Sequence, residues 1–195
     1  MSVDEVMKVV LRDRDYYRES RGGVTFSGGE PLLQPDVLAC LIDRCAEEGI
    51  STYLDTCGHA DQKVFLKIAN KVDGVLYDLK VMDPTRHKEL TGVSNDLILS
   101  NFKAACQAGI NIFLRFVVIP GISDSADNLR QIADFAARCG FAGEIDLLPY
   151  HNYGSSKHKR LGRKYELGEV SPPSLKQLST TQEFFVNNGL RAVVI

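Results

Sequence analysis

Short apolar runs alternate with helical stripes along the whole chain, and this alternation constrains the fold more than any single motif. The runs with strand character are residues 24–27, 50–54, 75–80, 112–119, 145–148 and 192–195. Between them apolar residues recur at helical spacing, and several stripes stop at a glycine such as Gly49, Gly109 or Gly140. Repeated strand–helix units predict an α/β fold with a parallel sheet. A doubly wound sheet and a partial (β/α) barrel both satisfy the pattern, and both place the functional site at the carboxyl ends of the strands.

The composition is that of a globular protein. With 44% apolar residues and 25% charged residues, the chain can bury a core and is not intrinsically disordered. We expect a single domain over residues 1–195. A net charge of −2 argues against a nucleic-acid partner, and no apolar run has the length of a membrane span. Residues 1–5 lack the features of a signal peptide, so we expect a cytoplasmic protein.

The cysteines indicate thiols rather than a disulfide framework, since their number is odd and their spacing scattered. They are Cys40, Cys45, Cys57, Cys106 and Cys139. We expect all but Cys57 to be buried, structural thiols. Cys57 lies beside Asp55 at a strand end, and it either faces the site or is structural as well.

Charged residues interrupt apolar strands near their carboxyl ends. Asp78 and Lys80 are two residues apart, so they share a strand face opposite Tyr77 and Leu79. Arg115 interrupts the apolar run 112–119 in the same way. Because both faces of a parallel strand are normally apolar, such charges must be paired or bound to a charged ligand.

Three further polar residues, Glu30, Asp55 and His151, each follow a strand directly. Any one of them could be a structural choice. Together with Asp78, Lys80 and Arg115, they predict a charged, concave site for a zwitterion. Acids would meet its ammonium group, and Lys and Arg its carboxylate.

Gly28 and Gly29 precede Glu30 at the first of these strand ends. Two glycines allow a positive φ and the close approach of a ligand to the backbone. The spacing matches neither G-x-G-x-x-G nor a P-loop, which disfavours a phosphate cradle. A plain tight turn is the alternative.

Six collinear segments resemble the glycyl radical enzyme activating enzymes of the radical S-adenosylmethionine (SAM) superfamily, the group that includes pyruvate formate-lyase activating enzyme. They are residues 24–32 with the Ser-Gly-Gly-Glu motif, 54–58, 76–80, 90–95, 114–121 and 147–151. The resemblance implies a partial (β/α) TIM-like barrel of the radical SAM type that lacks its first strand and cluster loop.

The resemblance also implies the site residues. The turn of Gly28, Gly29 and Glu30 would hold the SAM amino group, with Gly29 in backbone contact. The remaining residues would line the same site: Asp78, Leu79 and Lys80, with Lys80 facing the carboxylate, Arg115, His151, and Asp55 with a monovalent cation nearby.

The resemblance implies an activity that belongs to anaerobic metabolism. The family reduces a [4Fe–4S] cluster, cleaves SAM to a 5′-deoxyadenosyl radical and abstracts a hydrogen atom from a glycine-bearing loop of a partner such as pyruvate formate-lyase. An electron donor such as flavodoxin or ferredoxin is a second implied partner. The resemblance does not identify which glycyl radical enzyme is activated.

One family feature is missing from this sequence. No CxxxCxxC segment, which holds the cluster in the family, occurs in the chain. We therefore expect the cluster only with an omitted N-terminal segment, no metal site within residues 1–195, and no radical reaction by this chain alone.

Two alternatives remain open at this point. The chain could be a cluster-less remnant that binds SAM or a partner without catalysis, or another radical SAM enzyme acting on a small molecule. The basic segment 157–164 is either a solvated loop or a docking loop for the partner's glycyl segment.

Overall fold

A computed structural model describes residues 1–153, 162, 167–168 and 170–195 of the chain. Apart from Gly162, the basic segment 157–164 lies outside the described residues. The helices are α1 (Val3–Val10), α2 (Arg14–Ser20), α3 (Pro35–Glu47), α4 (Gln62–Ala69), α5 (Pro84–Thr91), α6 (Asp96–Gln107), α7 (Ala126–Arg138) and α8 (Leu175–Asn187). The strands are β1 (Gly23–Phe26), β2 (Ser51–Thr56), β3 (Gly74–Asp78), β4 (Ile112–Val118), β5 (Glu144–Pro149) and β6 (Arg191–Val194). Short 3-10 helices cover Leu11–Asp13 and Pro31–Leu33.

The strands form one six-stranded sheet in the order β1-β2-β3-β4-β5-β6. The pairs β1–β2, β2–β3, β4–β5 and β5–β6 are parallel. This confirms the α/β fold with a parallel sheet. The order follows the sequence, as expected for strand–helix units that each add one strand beside the last.

Strand β3 is shorter than its apolar run predicted. It ends at Asp78, so Lys80 lies beyond the strand rather than within it. The physical reason is a helix side chain: Asn128 accepts from the Met82 N–H at 2.8 Å and donates to the Lys80 carbonyl at 3.0 Å. The alternation of burial nevertheless continues, with Tyr77 and Leu79 buried and Asp78 and Lys80 half-buried.

The chain divides into two compact units. The first unit comprises Met1–Asp78 and Val93–Phe113, and the second comprises Leu79–Gly92 and Leu114–Ile195. The single domain over residues 1–195 stays a prediction.

The first unit is built around an aromatic cluster. The Tyr77 ring meets Phe65 and Phe102 edge to face, with centroid distances of 5.8 and 5.4 Å. Edge-to-face geometry is the favoured arrangement of such rings, because the positive edge of one faces the negative face of the other. The cluster fixes α4 and α6 on β3.

A smaller apolar cluster holds α1 on the first unit. Met7, Cys45 and Ile50 are its buried members. Ser2 and Glu5 form a capping box, which satisfies N–H groups that the first turn of α1 leaves unpaired. All five cysteines are thiols in the structure. The prediction of buried thiols is confirmed for Cys45 and wrong for the others: Cys40 is exposed on α3, and Cys106 and Cys139 are half-buried.

In the second unit, α8 packs against β5, β6 and α7. Phe116 of β4 meets Phe185 of α8 edge to face at 5.7 Å, and both side chains are fully buried. Ser174 caps α8 and forms a capping box with Gln177. Within the described ranges, no helix has the length and apolar character needed to cross a membrane.

Candidate functional site

The turn after β1 presents bare backbone to its surroundings. Gly28 has a φ of 125°, a conformation that residues with a side chain rarely adopt. A Cβ added at Gly28 or at Gly29 would have no atom within 4 Å. The two glycines therefore leave open space over the turn, and the predicted positive φ and exposed backbone are confirmed.

Glu30 closes this turn and is bonded to the end of β2. Its Oε1 accepts from the Thr56 hydroxyl at 2.6 Å, and its Oε2 accepts from the Cys57 N–H at 3.1 Å and from the Cys57 thiol at 3.0 Å. The Leu32 N–H makes a longer contact with Oε1, at 3.4 Å. The carboxylate thus joins the ends of two neighbouring strands.

The segment after β2 is itself held from behind. The Thr56 hydroxyl accepts from the Gly58 N–H at 2.9 Å, and the Asn101 amide of α6 donates to the carbonyls of Gly58 and Ala60 at 2.8 and 2.9 Å. Gly58 has a φ of 72°, and a Cβ there would overlap the Tyr77 hydroxyl. Only glycine fits at this position.

Tyr77 stays protonated beneath the segment. Burial, with smaller contributions from the nearby Cys57 and Glu30, raises the pKa of Tyr77 well above its ordinary range. Its hydroxyl donates to the Ile98 carbonyl at 2.6 Å. A neutral phenol thus forms the floor of the segment that carries Cys57.

Asp55 lies on β2 and reaches the β1 turn as well. Its Oδ2 accepts from the Ser27 hydroxyl at 2.8 Å. In the first unit the structure therefore brings together Asp55, Glu30 and the Gly28–Gly29 turn, all predicted site residues. Asp78 is half-buried at the end of β3 in the same unit.

In the second unit, Asn128 of α7 shapes the segment that carries Lys80. Besides its bonds to Lys80 and Met82, the Asn128 amide donates to the Ser123 carbonyl at 2.9 Å. Leu79 is buried, and its N–H donates to the Arg115 carbonyl at 3.1 Å. The predicted residues Leu79, Lys80 and Arg115 are thus on adjoining backbone.

Arg115 lies opposite Asp146 in the β4–β5 register. Burial, reinforced by Glu144, raises the pKa of Asp146 above its ordinary value of 3.8, while Arg115 acts in the opposite direction. The guanidinium therefore has an acidic neighbour on the next strand that ionises less readily than usual.

His151 follows β5 and is exposed. Its ring lies 4.3 Å from that of Tyr153, and its Nδ1 accepts from the Tyr153 N–H at 3.4 Å. Both residues line a cavity of about 780 Å³ in the second unit, with Val117, Tyr150 and Pro172 among the other walls.

Sequence reasoning missed the residues that hold the site residues in place. Thr56, Asn101 and Asn128 are buried polar side chains. Thr56 bonds Glu30, Asn128 bonds the Lys80 carbonyl, and Asn101 bonds the segment that follows β2. The available signal was a polar residue inside an apolar helical stripe, as with Asn101 beside Phe102 and Asn128 beside Leu129.

The residues of this chain do not fit a [4Fe–4S] cluster. Such clusters are held by Cys thiolates placed around one centre. Across the described residues, which include all five cysteines, there is no group of three or more His, Cys, Asp or Glu side chains placed to hold a metal. In the first unit, the open Gly28–Gly29 backbone leaves room for a ligand to approach the main chain closely.

A protein-family model described as the radical SAM superfamily matches residues 1–136. The match covers well over half of the chain, and the chain belongs to the radical SAM superfamily. Curated relatives of this chain include activating enzymes. The indoleacetate decarboxylase activating enzyme of Tractidigestivibacter scatoligenes is 40% identical over 195 residues, which are 100% of this chain and 61% of the relative. The choline trimethylamine-lyase activating enzyme of Oleidesulfovibrio alaskensis is 42% identical over 170 residues, 85% of this chain and 54% of the relative.

A solved structure has the same fold. A domain of pyruvate-formate lyase-activating enzyme from Bacteroides vulgatus superimposes with a TM-score of 0.76 at 31% identity, over 89% of this chain and 99% of that one. The resemblance and the partial-barrel fold class are thereby confirmed. The chain spans 61% and 54% of the lengths of the two curated relatives.

Proposed function

We propose that this chain is the SAM-binding part of a glycyl radical enzyme activating enzyme. The observation that supports this most strongly is the 40% identity to an activating enzyme over the entire chain. The complete protein would generate a glycyl radical on a partner enzyme.

The proposed SAM contacts follow the charge of each group. The backbone of the turn formed by Gly28, Gly29 and Glu30 receives the amino group, with Gly29 in backbone contact. Lys80 and Arg115 carry the positive charge that a carboxylate needs, and charge-assisted hydrogen bonds of this kind are the stronger ones. Asp55, Asp78, Leu79 and His151 complete the proposed set.

SAM supplies the radical chemistry when it is bound together with a reduced [4Fe–4S] cluster. The residues of this chain bind and orient the molecule and exclude water from it. Because the cysteines here do not fit a cluster, the radical step belongs to the complete protein.

The partner class comes from the same inference. A glycyl radical enzyme presents its glycine-bearing loop as the substrate, and a flavodoxin or ferredoxin supplies electrons. A cytoplasmic location is part of the same proposal.

The decisive experiment uses the protein translated from the complete reading frame. After anaerobic cluster reconstitution, it is incubated with a reductant, SAM and each of a panel of glycyl radical enzymes, and the glycyl radical is measured by electron paramagnetic resonance. We expect a glycyl radical signal that requires SAM.

A complete reading frame without a CxxxCxxC segment would contradict the proposal and favour a cluster-less SAM- or partner-binding protein. A reconstituted protein that cleaves SAM but yields no glycyl radical would instead favour a radical SAM enzyme of another substrate class.

A further inference from the structure

The carboxylate of Glu30 has no acceptor site left for a ligand. An ionised carboxylate offers about four lone-pair sites on its two oxygens. In this chain, donors of Leu32, Thr56 and Cys57 approach both oxygens, and Cys57 supplies two of them. A ligand ammonium could bond Glu30 only by displacing one of these donors.

The donors also have little freedom to turn away. Thr56 is 2% exposed, and its hydroxyl is fixed because it accepts from the Gly58 N–H while it donates to Glu30. Gly58 is fixed by two contacts: it lies against the Tyr77 hydroxyl, and its carbonyl accepts from the Asn101 amide. The Cys57 N–H and thiol both donate to the same carboxylate oxygen, so Glu30 is held by a single fixed segment.

We propose that Glu30 is a positioning residue, and that Thr56 and Cys57 are the clamp that holds it. The clamp ties the turn after β1 to the end of β2 and so sets the direction of the Gly28–Gly29 backbone. The inference rests on the proposed function in one respect, since the ligand that the turn receives is taken to be SAM.

The clamp explains why a thiol is suitable at position 57. A thiol is a weak donor, yet its bond to an ionised acceptor in a half-buried setting is stronger than one to a neutral acceptor. The role that the sequence left open for Cys57 is therefore neither a ligand contact nor plain packing. It is one of the donors that orient Glu30.

The first test measures SAM binding to the 195-residue chain by calorimetry. Thr56→Val and Cys57→Ala each remove one donor, and we expect SAM affinity to fall about two- to fivefold in each. Thr56→Ser and Cys57→Ser keep a hydroxyl donor and should restore most of the affinity. Cys139→Ala, which removes a half-buried thiol from the second unit, is the control.

The second test reads the clamp without SAM. Iodoacetamide alkylation of each cysteine is followed by mass spectrometry in the wild type and in Glu30→Gln. Replacing the carboxylate by an amide removes the negative charge that opposes thiolate formation, and it leaves one acceptor oxygen for the donors of Thr56 and Cys57. We expect Cys57 in Glu30→Gln to react at least about threefold faster at pH 8, with exposed Cys40 unchanged as the internal control.

The outcomes separate the two proposals. If Glu30→Gln weakens SAM binding while Thr56→Val and Cys57→Ala do not, Glu30 contacts the ligand directly and the clamp proposal is wrong. An unchanged Cys57 alkylation rate in Glu30→Gln overturns it as well. If the wild-type chain does not bind SAM at all, the proposed function fails, and the alkylation rates still decide whether the clamp exists.

Discussion

Gly58 shows how a single residue limits the site. The position combines a φ of 72° with a contact to the Tyr77 hydroxyl that leaves no room for a Cβ. Gly49 has nearly the same backbone, with a φ of 66°, but nothing lies within 4 Å of an added Cβ. The two glycines therefore separate backbone strain from steric overlap.

We predict that Gly58→Ala lowers the free energy of unfolding by about 3 kcal/mol, since strain and overpacking add. Gly49→Ala should lower it by about 1 kcal/mol, from strain alone. Urea denaturation monitored by circular dichroism measures both. Equal losses of unfolding free energy in the two variants would show that Tyr77 moves to make room for the added methyl group.

Asp146 makes the stability depend on pH. Burial raises its pKa in the folded state above the ordinary value of 3.8, so the folded state holds the proton more tightly than the unfolded chain. The corresponding stability is fully present below about pH 4 and is lost as the pH rises through the folded pKa.

We predict that Asp146→Asn removes this decline, so that its unfolding free energy falls less than that of the wild type as the pH rises from 4. Urea midpoints measured at intervals between pH 3.5 and 7 provide the comparison. Asp134→Asn, which changes an exposed carboxylate on α7, is the matched control. Identical slopes for Asp146→Asn and the wild type would contradict the assignment.

At the scale of elements, one buried asparagine in each unit ties a helix to the segment that follows a strand. Asn101 of α6 donates to the carbonyls of Gly58 and Ala60. Asn111, by contrast, is exposed and donates to one carbonyl, that of Asp73.

We predict that Asn101→Ala costs about 2 kcal/mol, because two carbonyls lose their donor in a largely buried setting. Asn111→Ala should cost less than about 1 kcal/mol, since water replaces an exposed donor. Chemical denaturation of both variants tests this difference. A similar cost for the two would mean that water also reaches the Asn101 site.

Asn128 performs the corresponding task for Lys80 in the second unit. It bonds the carbonyls of Lys80 and Ser123 and the N–H of Met82. We predict that Asn128→Ala weakens SAM binding at least about threefold in calorimetry, because the Lys80 segment loses its anchor. Gln131→Ala, an α7 change that removes a bond to Asp127 of the same helix, should leave the affinity unchanged. Unaltered affinity in Asn128→Ala would show that Lys80 is positioned by other means.

The sequence predicted the elements well because their signals are local. All six strands occur where apolar runs predicted them, and the Ser2 capping box is present. The sequence misplaced the end of β3. Asn128, which is distant in sequence, bonds Lys80 and Met82 and redirects the backbone after Leu79. No local sequence pattern indicates such a long-range contact.

The sequence indicated charged candidates for the site, but it did not indicate the residues that hold them in place. A charge inside an apolar run indicated Lys80 and Arg115, and a charge directly after a strand indicated Glu30 and Asp55; their role in a site stays a prediction. Thr56 was predicted only to be part of a strand end. Its bond to Glu30 could not be predicted, because the two residues come close only when β1 pairs with β2.

At the scale of the whole molecule, we propose that the chain binds SAM through Lys80 and Asp78. Lys80 is proposed to meet the SAM carboxylate, so its loss removes a charge-assisted hydrogen bond. Lys103, exposed on α6, offers a control that removes the same charge elsewhere.

The most direct measurement is calorimetric titration of SAM into the 195-residue chain and its Lys80→Ala, Asp78→Ala and Lys103→Ala variants. We predict saturable binding by the wild type, a dissociation constant raised about tenfold or more in Lys80→Ala and clearly raised in Asp78→Ala, and wild-type affinity in Lys103→Ala. Absence of saturation, or equal affinities in all four proteins, would contradict the account.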